Sequence, residues 1–159
     1  MSLVSIRSFR PDEVTAVLDL WKAAGLVPPP NQPDRDIRAA RGDGGDVFVA
    51  EWQDRLVATI MVGREEDRGW LYYLAVDPGL QRKGLGRAIV RYAEKWLRAH
   101  GVTKVMLMIR ANNRNVRGFY DKLGYRTEPR NLMARDLEPL PKPGQQPQLA
   151  AKPHTASAD

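Results

Sequence analysis

The chain is 159 residues long and 43% hydrophobic, the size and apolar content of one domain with its own core. It has no cysteine and only His100 and His154 as imidazoles, which excludes disulfides and thiolate metal sites and leaves too few ligands for a catalytic zinc centre, so no metal is expected. The net charge of +6 belongs to the part before Glu138, because Lys142 and Lys152 cancel Glu138 and Asp159 in the closing segment.

In chain order, VSIRSF alternates like a strand, and PDEVTAVLDLWKAAG reads as a helix with Pro11 suited to its first turn and Val14, Val17, Leu18 and Trp21 on one face. LVPPPNQP is irregular, and DRDIRAAR can form a short helix. DVFVAEW and RLVATIMVG flank Gln53-Asp54 as a hairpin. WLYYLAV is a nearly continuous apolar run, predicted as a strand buried on both faces that stops at Asp77-Pro78. A helix follows with Leu85, Ala88, Ile89, Tyr92, Trp96 and Leu97 on one side, Arg87, Arg91, Lys95 and Arg98 on the other, and Gly101 at its end. TKVMLMI is then a strand, NRNVRGFYDKL a helix closed by Gly124, and LMARDL a last strand. The order β α α β β β α β α β, with an antiparallel start and a later strand-helix-strand crossover, predicts an α+β or α/β domain with helices on the faces of a mixed sheet. No apolar run approaches the roughly 20 residues that span a bilayer. MSLVSIRSFR also lacks the apolar stretch of a secretory signal, so a cytoplasmic protein without a membrane partner is expected.

One stretch asks for a reason beyond folding. In DPGLQRKGLGRAIV, residues 77–90, Gly84 and Gly86 stand among Gln81, Arg82, Lys83 and Arg87 where a turn enters a helix. A helical glycine costs roughly 1 kcal/mol relative to alanine, so two in a first turn imply close approach to the backbone. The basic neighbours imply that what approaches is negative, and a strand-turn-helix junction offers it unpaired N–H groups and a helix dipole. A dinucleotide fingerprint would need a third glycine where Ile89 stands; a GxxxxGK loop fits Gly79 and Gly84 but then meets Leu85-Gly86. What fits is Q-x-x-G-x-G. With Leu74-Ala75-Val76-Asp77-Pro78 before it, then Asn113, then Phe119-Tyr120-Asp121-Lys122-Leu123-Gly124-Tyr125, the chain resembles the GNAT superfamily of acyl-CoA-dependent N-acyltransferases over about residues 5–137. Each piece alone is weak; four in the right order and spacing are specific. RGWLYYLAV and the overall layout look most like the bacterial YpeA-type acetyltransferases.

The resemblance implies a GNAT-like mixed, mostly antiparallel central sheet in residues 1–137, splayed at the coenzyme site, with helices on both faces. It implies direct transfer of an acetyl group from acetyl-CoA, as cosubstrate, to a small-molecule amine or a protein or peptide amine, and leaves room for a homodimer. The amides of Arg82, Lys83, Gly84, Leu85, Gly86 and Arg87 would hold the coenzyme pyrophosphate, and backbone groups of Leu74, Ala75 and Val76 would pair with the pantetheine arm and polarise the thioester. Asn113 is implied in coenzyme binding, although it also suits the N-cap of its helix. Tyr120 is the implied general acid for the leaving thiolate, with core packing beside Phe119 and Tyr125 as its other reading. The ribosomal-protein N-terminal acetyltransferases of the superfamily resemble EVRxxN before this helix, whereas this chain reads MIRANN, so Met108 replaces their carboxylate. Glu65, Glu66, Asp67, Tyr72 and Tyr73 are then the groups available to position water or accept a proton, against a plain solvated turn.

Two other classes stay in view. A non-catalytic acyl-CoA-binding regulatory module would use the same loop without needing Tyr120. A nucleic-acid binder would rest on charge alone, and the aromatics here lie in apolar runs instead of interleaving with basic residues, so no nucleic-acid partner is expected. The closing EPLPKPGQQPQLAAKPHTASAD, residues 138–159, is Pro-rich without apolar periodicity and is predicted to be a disordered tail. Truncation after Glu138 should therefore leave the melting temperature and coenzyme affinity nearly unchanged. A drop of many degrees on thermal unfolding would show that the tail docks.

Overall fold

The two-residue link between DVFVAEW and RLVATIMVG is a hairpin turn in the computed structural model, which describes residues 3–26, 33–42 and 44–138. Gln53 and Asp54 take φ of 50° and 58°, the left-handed pair whose twist matches that of the flanking strands. The elements are β1 (Ser5–Ser8), a 3-10 turn (Pro11–Glu13), α1 (Val14–Ala23), α2 (Pro33–Gly42), β2 (Asp46–Trp52), β3 (Arg55–Glu65), β4 (Arg68–Val76), a second 3-10 turn (Pro78–Leu80), α3 (Leu85–Ala99), β5 (Lys104–Met106) and α4 (Arg114–Lys122). The described residues fall into two compact units, the first running to Leu107 and the second beginning at Met108.

In the first unit the five strands lie in chain order, antiparallel except for the parallel β4–β5 pair. Strand alternation splits the apolar residues between two helical layers. Val47, Val49, Met61 and Ala75 pack with Val17, Leu20 and Trp21 of α1 and Ile37 of α2. From the opposite face of β2, Phe48 meets Tyr92 and Trp96 of α3 edge-on, with ring centroids 5.0 and 5.6 Å away. Gly69 lets β4 pass close to the same layer, since a Cβ there would lie 3.0 Å from side-chain atoms of Leu97 and Val102. The sheet thus carries helices on both faces, as the resemblance implied.

Three predicted details are corrected. The apolar stripe of α3 is rotated: Val90 and Ala93 are buried, whereas Ala88 is exposed. β4 is not buried on both faces, because Leu71 and Ala75 are covered while Trp70, Tyr72, Leu74 and Val76 are half-buried beside an edge that β5 covers only briefly. LMARDL forms no strand, and Leu132, Met133 and Leu137 are exposed. The regular element described in its unit is α4, so alternation there has no ladder partner. The predicted tail from residue 139 onward lies outside the described residues.

Candidate functional site

The strand that precedes the glycine loop is bulged. Thr59 of β3 faces Ala75 and Met61 faces Tyr72, so Ile60 opposes both Tyr73 and Leu74. Tyr73 takes φ of 48°, a left-handed conformation that costs a non-glycine residue roughly 1–2 kcal/mol. The extra residue places Tyr72 and Tyr73, neighbours in sequence, against the same core around Trp21. Three contacts converge on Tyr73. Its ring stacks on Trp21 at 4.1 Å and 11°, and its hydroxyl donates to Asp36 Oδ2 at 2.5 Å. The Thr59 hydroxyl donates to its carbonyl at 3.3 Å and accepts from Trp21 Nε1–H at 2.7 Å. None of this was foreseen from WLYYLAV, a nearly continuous apolar run with no alternation for a bulge to interrupt.

On its other edge β4 is paired only at the start. β5 runs alongside from Arg68↔Lys104 to Trp70↔Met106 and then leaves, so the sheet is splayed next to residues 71–76, which include Leu74, Ala75 and Val76. β4 then enters a braced turn. Asp77 Oδ1 accepts from the Gly79 amide at 2.8 Å, its Oδ2 accepts from Arg55 at 3.1 Å, and its carbonyl accepts from the Leu80 amide at 2.8 Å.

Beyond this turn Arg82 has φ of 62° and Gly84, the N-cap of α3, has φ of 84°. Left-handed residues alternating with ordinary ones turn successive amides toward one concavity, and the first turn of α3 adds its own unpaired N–H groups. No acid lies in that first turn to occupy them. Leu85 is buried and anchors the helix start, Gly86 lies within the first turn, and Arg82, Lys83 and Arg87 are exposed around it. The arrangement suits an anion with several charges. Arg91 is engaged elsewhere, 2.7 Å from Glu94 one turn along.

The acidic turn is not part of this arrangement. Glu66 has φ of 52° in the β3–β4 hairpin, and Asp67 receives the Thr103 amide at 2.8 Å and the Thr103 hydroxyl at 3.1 Å. It lies at the opposite end of β4 from the glycine loop, eight residue steps or roughly 25 Å of strand away. Glu65, Glu66 and Asp67 therefore terminate a hairpin and do not reach the loop. Tyr72 is pushed up to about 12, chiefly by burial and also by the charge of Glu65. Its neutral form is thus favoured by folding, giving stability that is present below the ordinary phenol value of about 10 and lost as pH rises through about 12. Tyr72→Phe should flatten the alkaline limb of a melting-temperature profile across that window. An unchanged limb would assign the loss to other groups.

In the second unit, Asn113 caps α4, its Oδ1 accepting from the Val116 amide at 3.2 Å. Tyr120 is buried at 5% exposure, with Phe119 and Tyr125 edge-on at 5.0 and 5.2 Å. The packing contacts named for it in the sequence are therefore present, and burial pushes its phenol well above the ordinary range. Met108, in the place of the missing carboxylate, is 55% exposed. Arg130 and Asn131 lie in an exposed irregular segment, and residues 27–32 of LVPPPNQP lie outside the described residues.

The comparisons with known proteins agree with this geometry. The family model for the acetyltransferase (GNAT) family matches residues 14–125, a span that enters both units. An acetyltransferase of Pectobacterium atrosepticum is 39% identical over 125 residues, which is 78% of this chain and 89% of that one. Among solved structures, a ribosomal-protein alanine N-acetyltransferase of Escherichia coli has a TM-score of 0.68 at 25% identity, covering 77% of each chain. The AAC(6')-Iy enzyme, solved with a bisubstrate analogue built on CoA, shares the fold with a TM-score of 0.72 at 15% identity, over 85% of this chain and 99% of that one. The strand, loop and helix described above, together with these matches, make the chain a member of the GNAT acetyltransferase family.

Proposed function

We propose that the chain binds acetyl-CoA and transfers its acetyl group to an amine within a ternary complex. The observation that carries this reading is the β4–α3 junction: a bulged strand with an open edge runs through a braced turn into a helix whose first turn holds no acid. The pyrophosphate would sit on the amides of residues 82–87, with Arg82, Lys83 and Arg87 adding positive charge. The pantetheine arm would pair with Leu74, Ala75 and Val76 as an added strand does, and an amide next to the bulge would polarise the thioester carbonyl. Asn113 would contribute to holding the coenzyme in addition to its capping role.

The amine nitrogen attacks the thioester carbon, the carbon–sulfur bond breaks, and the amine proton passes to water, since Met108 supplies no carboxylate. Tyr120 gives the thiolate its proton and recovers one from solvent. A phenol is already protonated at neutral pH, burial makes Tyr120 a weaker acid than usual, and desolvation of the thiolate raises the proton affinity of the acceptor in the same direction. The solved neighbours' names range from a ribosomal-protein alanine to an acetylneamine, so the acceptor belongs to either the peptide or the small-molecule class. Free thiol release from acetyl-CoA, screened against peptides with free N-termini and against small polyamines and aminosugars, tests the proposal. Release that depends on one acceptor class supports it, whereas tight acetyl-CoA binding with no acceptor-dependent release would leave a binding module.

A further inference from the structure

The buried run of β3 from Val57 to Val62 is apolar except at Thr59, which is fully covered and is the one polar residue buried in the core among the described residues. A core that needed packing alone would take valine there, with the same shape and no polar atom to satisfy. The threonine hydroxyl is fully used: it accepts from Trp21 Nε1–H at 2.7 Å and donates to the Tyr73 carbonyl at 3.3 Å, where the bulge interrupts the β3–β4 ladder. Trp21 also stacks on the Tyr73 ring, and Asp36 takes the Tyr73 hydroxyl from α2. Three elements thus converge on one residue held in a left-handed conformation, and each contact fixes a different part of it: carbonyl, ring and hydroxyl. A bulky residue in that region persists only where its surroundings over-determine it.

We infer that Trp21, Thr59 and Asp36 are positioning residues for acetyl transfer: they hold Tyr73 in the bulge so that the backbone following it, at Leu74, is aimed at the thioester carbonyl. The inference rests on the proposed acetyl transfer. Loss of the Thr59 hydroxyl would free the Tyr73 carbonyl and loosen the bulge, and an amide that swings by a fraction of an ångström stabilises the transition state less while the coenzyme's phosphates stay bound at the loop.

The test is Thr59→Val beside Thr59→Ser, using acetyl-CoA labelled at the carbonyl carbon and isotope-edited infrared spectroscopy of the bound thioester. In the wild-type protein the bound carbonyl stretch is expected to fall below its value in solution. In Thr59→Val it should move back toward that value, with kcat lower by about 10- to 100-fold and the acetyl-CoA Kd within about threefold of wild type. Thr59→Ser should restore both the stretch and the turnover to within about threefold. Asp36→Ala, which alters a half-buried helix position, should move both readouts in the same direction and serves if Thr59→Val does not fold. A folded Thr59→Val with the wild-type stretch and turnover would overturn the positioning role while leaving acetyl transfer standing. A wild-type carbonyl that shows no shift when bound would overturn the backbone polarisation itself, and the positioning role with it.

Discussion

Gly86→Glu should weaken acetyl-CoA binding by at least about 100-fold, a loss of about 2.8 kcal/mol, without destabilising the fold. Gly86 lies in the first turn of α3, two residues beyond a left-handed N-cap, and its backbone is not left-handed, so no positive φ opposes a side chain there. For the isolated helix the change is favourable. Glycine costs about 1 kcal/mol in a helix, and an acid in the first turn gains about 0.3–1 kcal/mol from the dipole. For the ligand it is doubly unfavourable, because the new carboxylate occupies the amides that would meet the pyrophosphate and repels its charge. Charge-assisted hydrogen bonds contribute about 1.5–3 kcal/mol each, so displacing two of them reaches the stated size. Calorimetric titration and thermal unfolding should therefore move in opposite directions, which separates this outcome from misfolding. Unchanged affinity in a folded variant would remove the loop from the coenzyme site.

Tyr120→Phe is expected to lower turnover by roughly 10- to 1000-fold while acetyl-CoA affinity stays nearly intact. The substitution keeps the ring that packs edge-on against Phe119 and Tyr125 and removes only the hydroxyl. Stability should change little, since the packing is retained. The size is that of losing one positioned acid, and it shrinks where product release limits the rate. Slow acetyl-CoA hydrolysis reports on the same leaving group, so the comparison is feasible before an acceptor is known. Full turnover in Tyr120→Phe, under conditions where chemistry is rate-limiting, would make Tyr120 a packing residue.

What was legible in the sequence was local. The strand-like runs DVFVAEW and RLVATIMVG on either side of Gln53-Asp54 announced a two-residue hairpin, and the glycines of the Q-x-x-G-x-G loop announced a turn into a helix, where Gly84 takes the left-handed N-cap conformation. The helix boundaries near Pro11, Gly101 and Gly124 were readable from the same backbone preferences. The bulge was not, because a bulge belongs to the register of two strands and neither strand states it alone. Its supports were also hidden, since Trp21 and Thr59 are 38 positions apart and Asp36 and Tyr73 are 37 apart. LMARDL shows the converse error: alternation says that a segment can be a strand, while only a neighbouring edge makes it one. The acidic turn failed for a similar reason, because its distance from the loop follows from the length and direction of β4, not from composition.

The central claim, acetyl transfer from coenzyme A to an amine nitrogen, is tested most directly by following the destination of a labelled acetyl group. The protein is incubated with acetyl-CoA labelled in the acetyl carbons and an amine panel, and the products are resolved by mass spectrometry. The account predicts that the label appears as an amide on one class of amine, with one free coenzyme A formed per amide and no label retained on the protein. Saturating acetyl-CoA binding with the label recovered only in acetyl-CoA or free acetate, whatever amine is supplied, would contradict it.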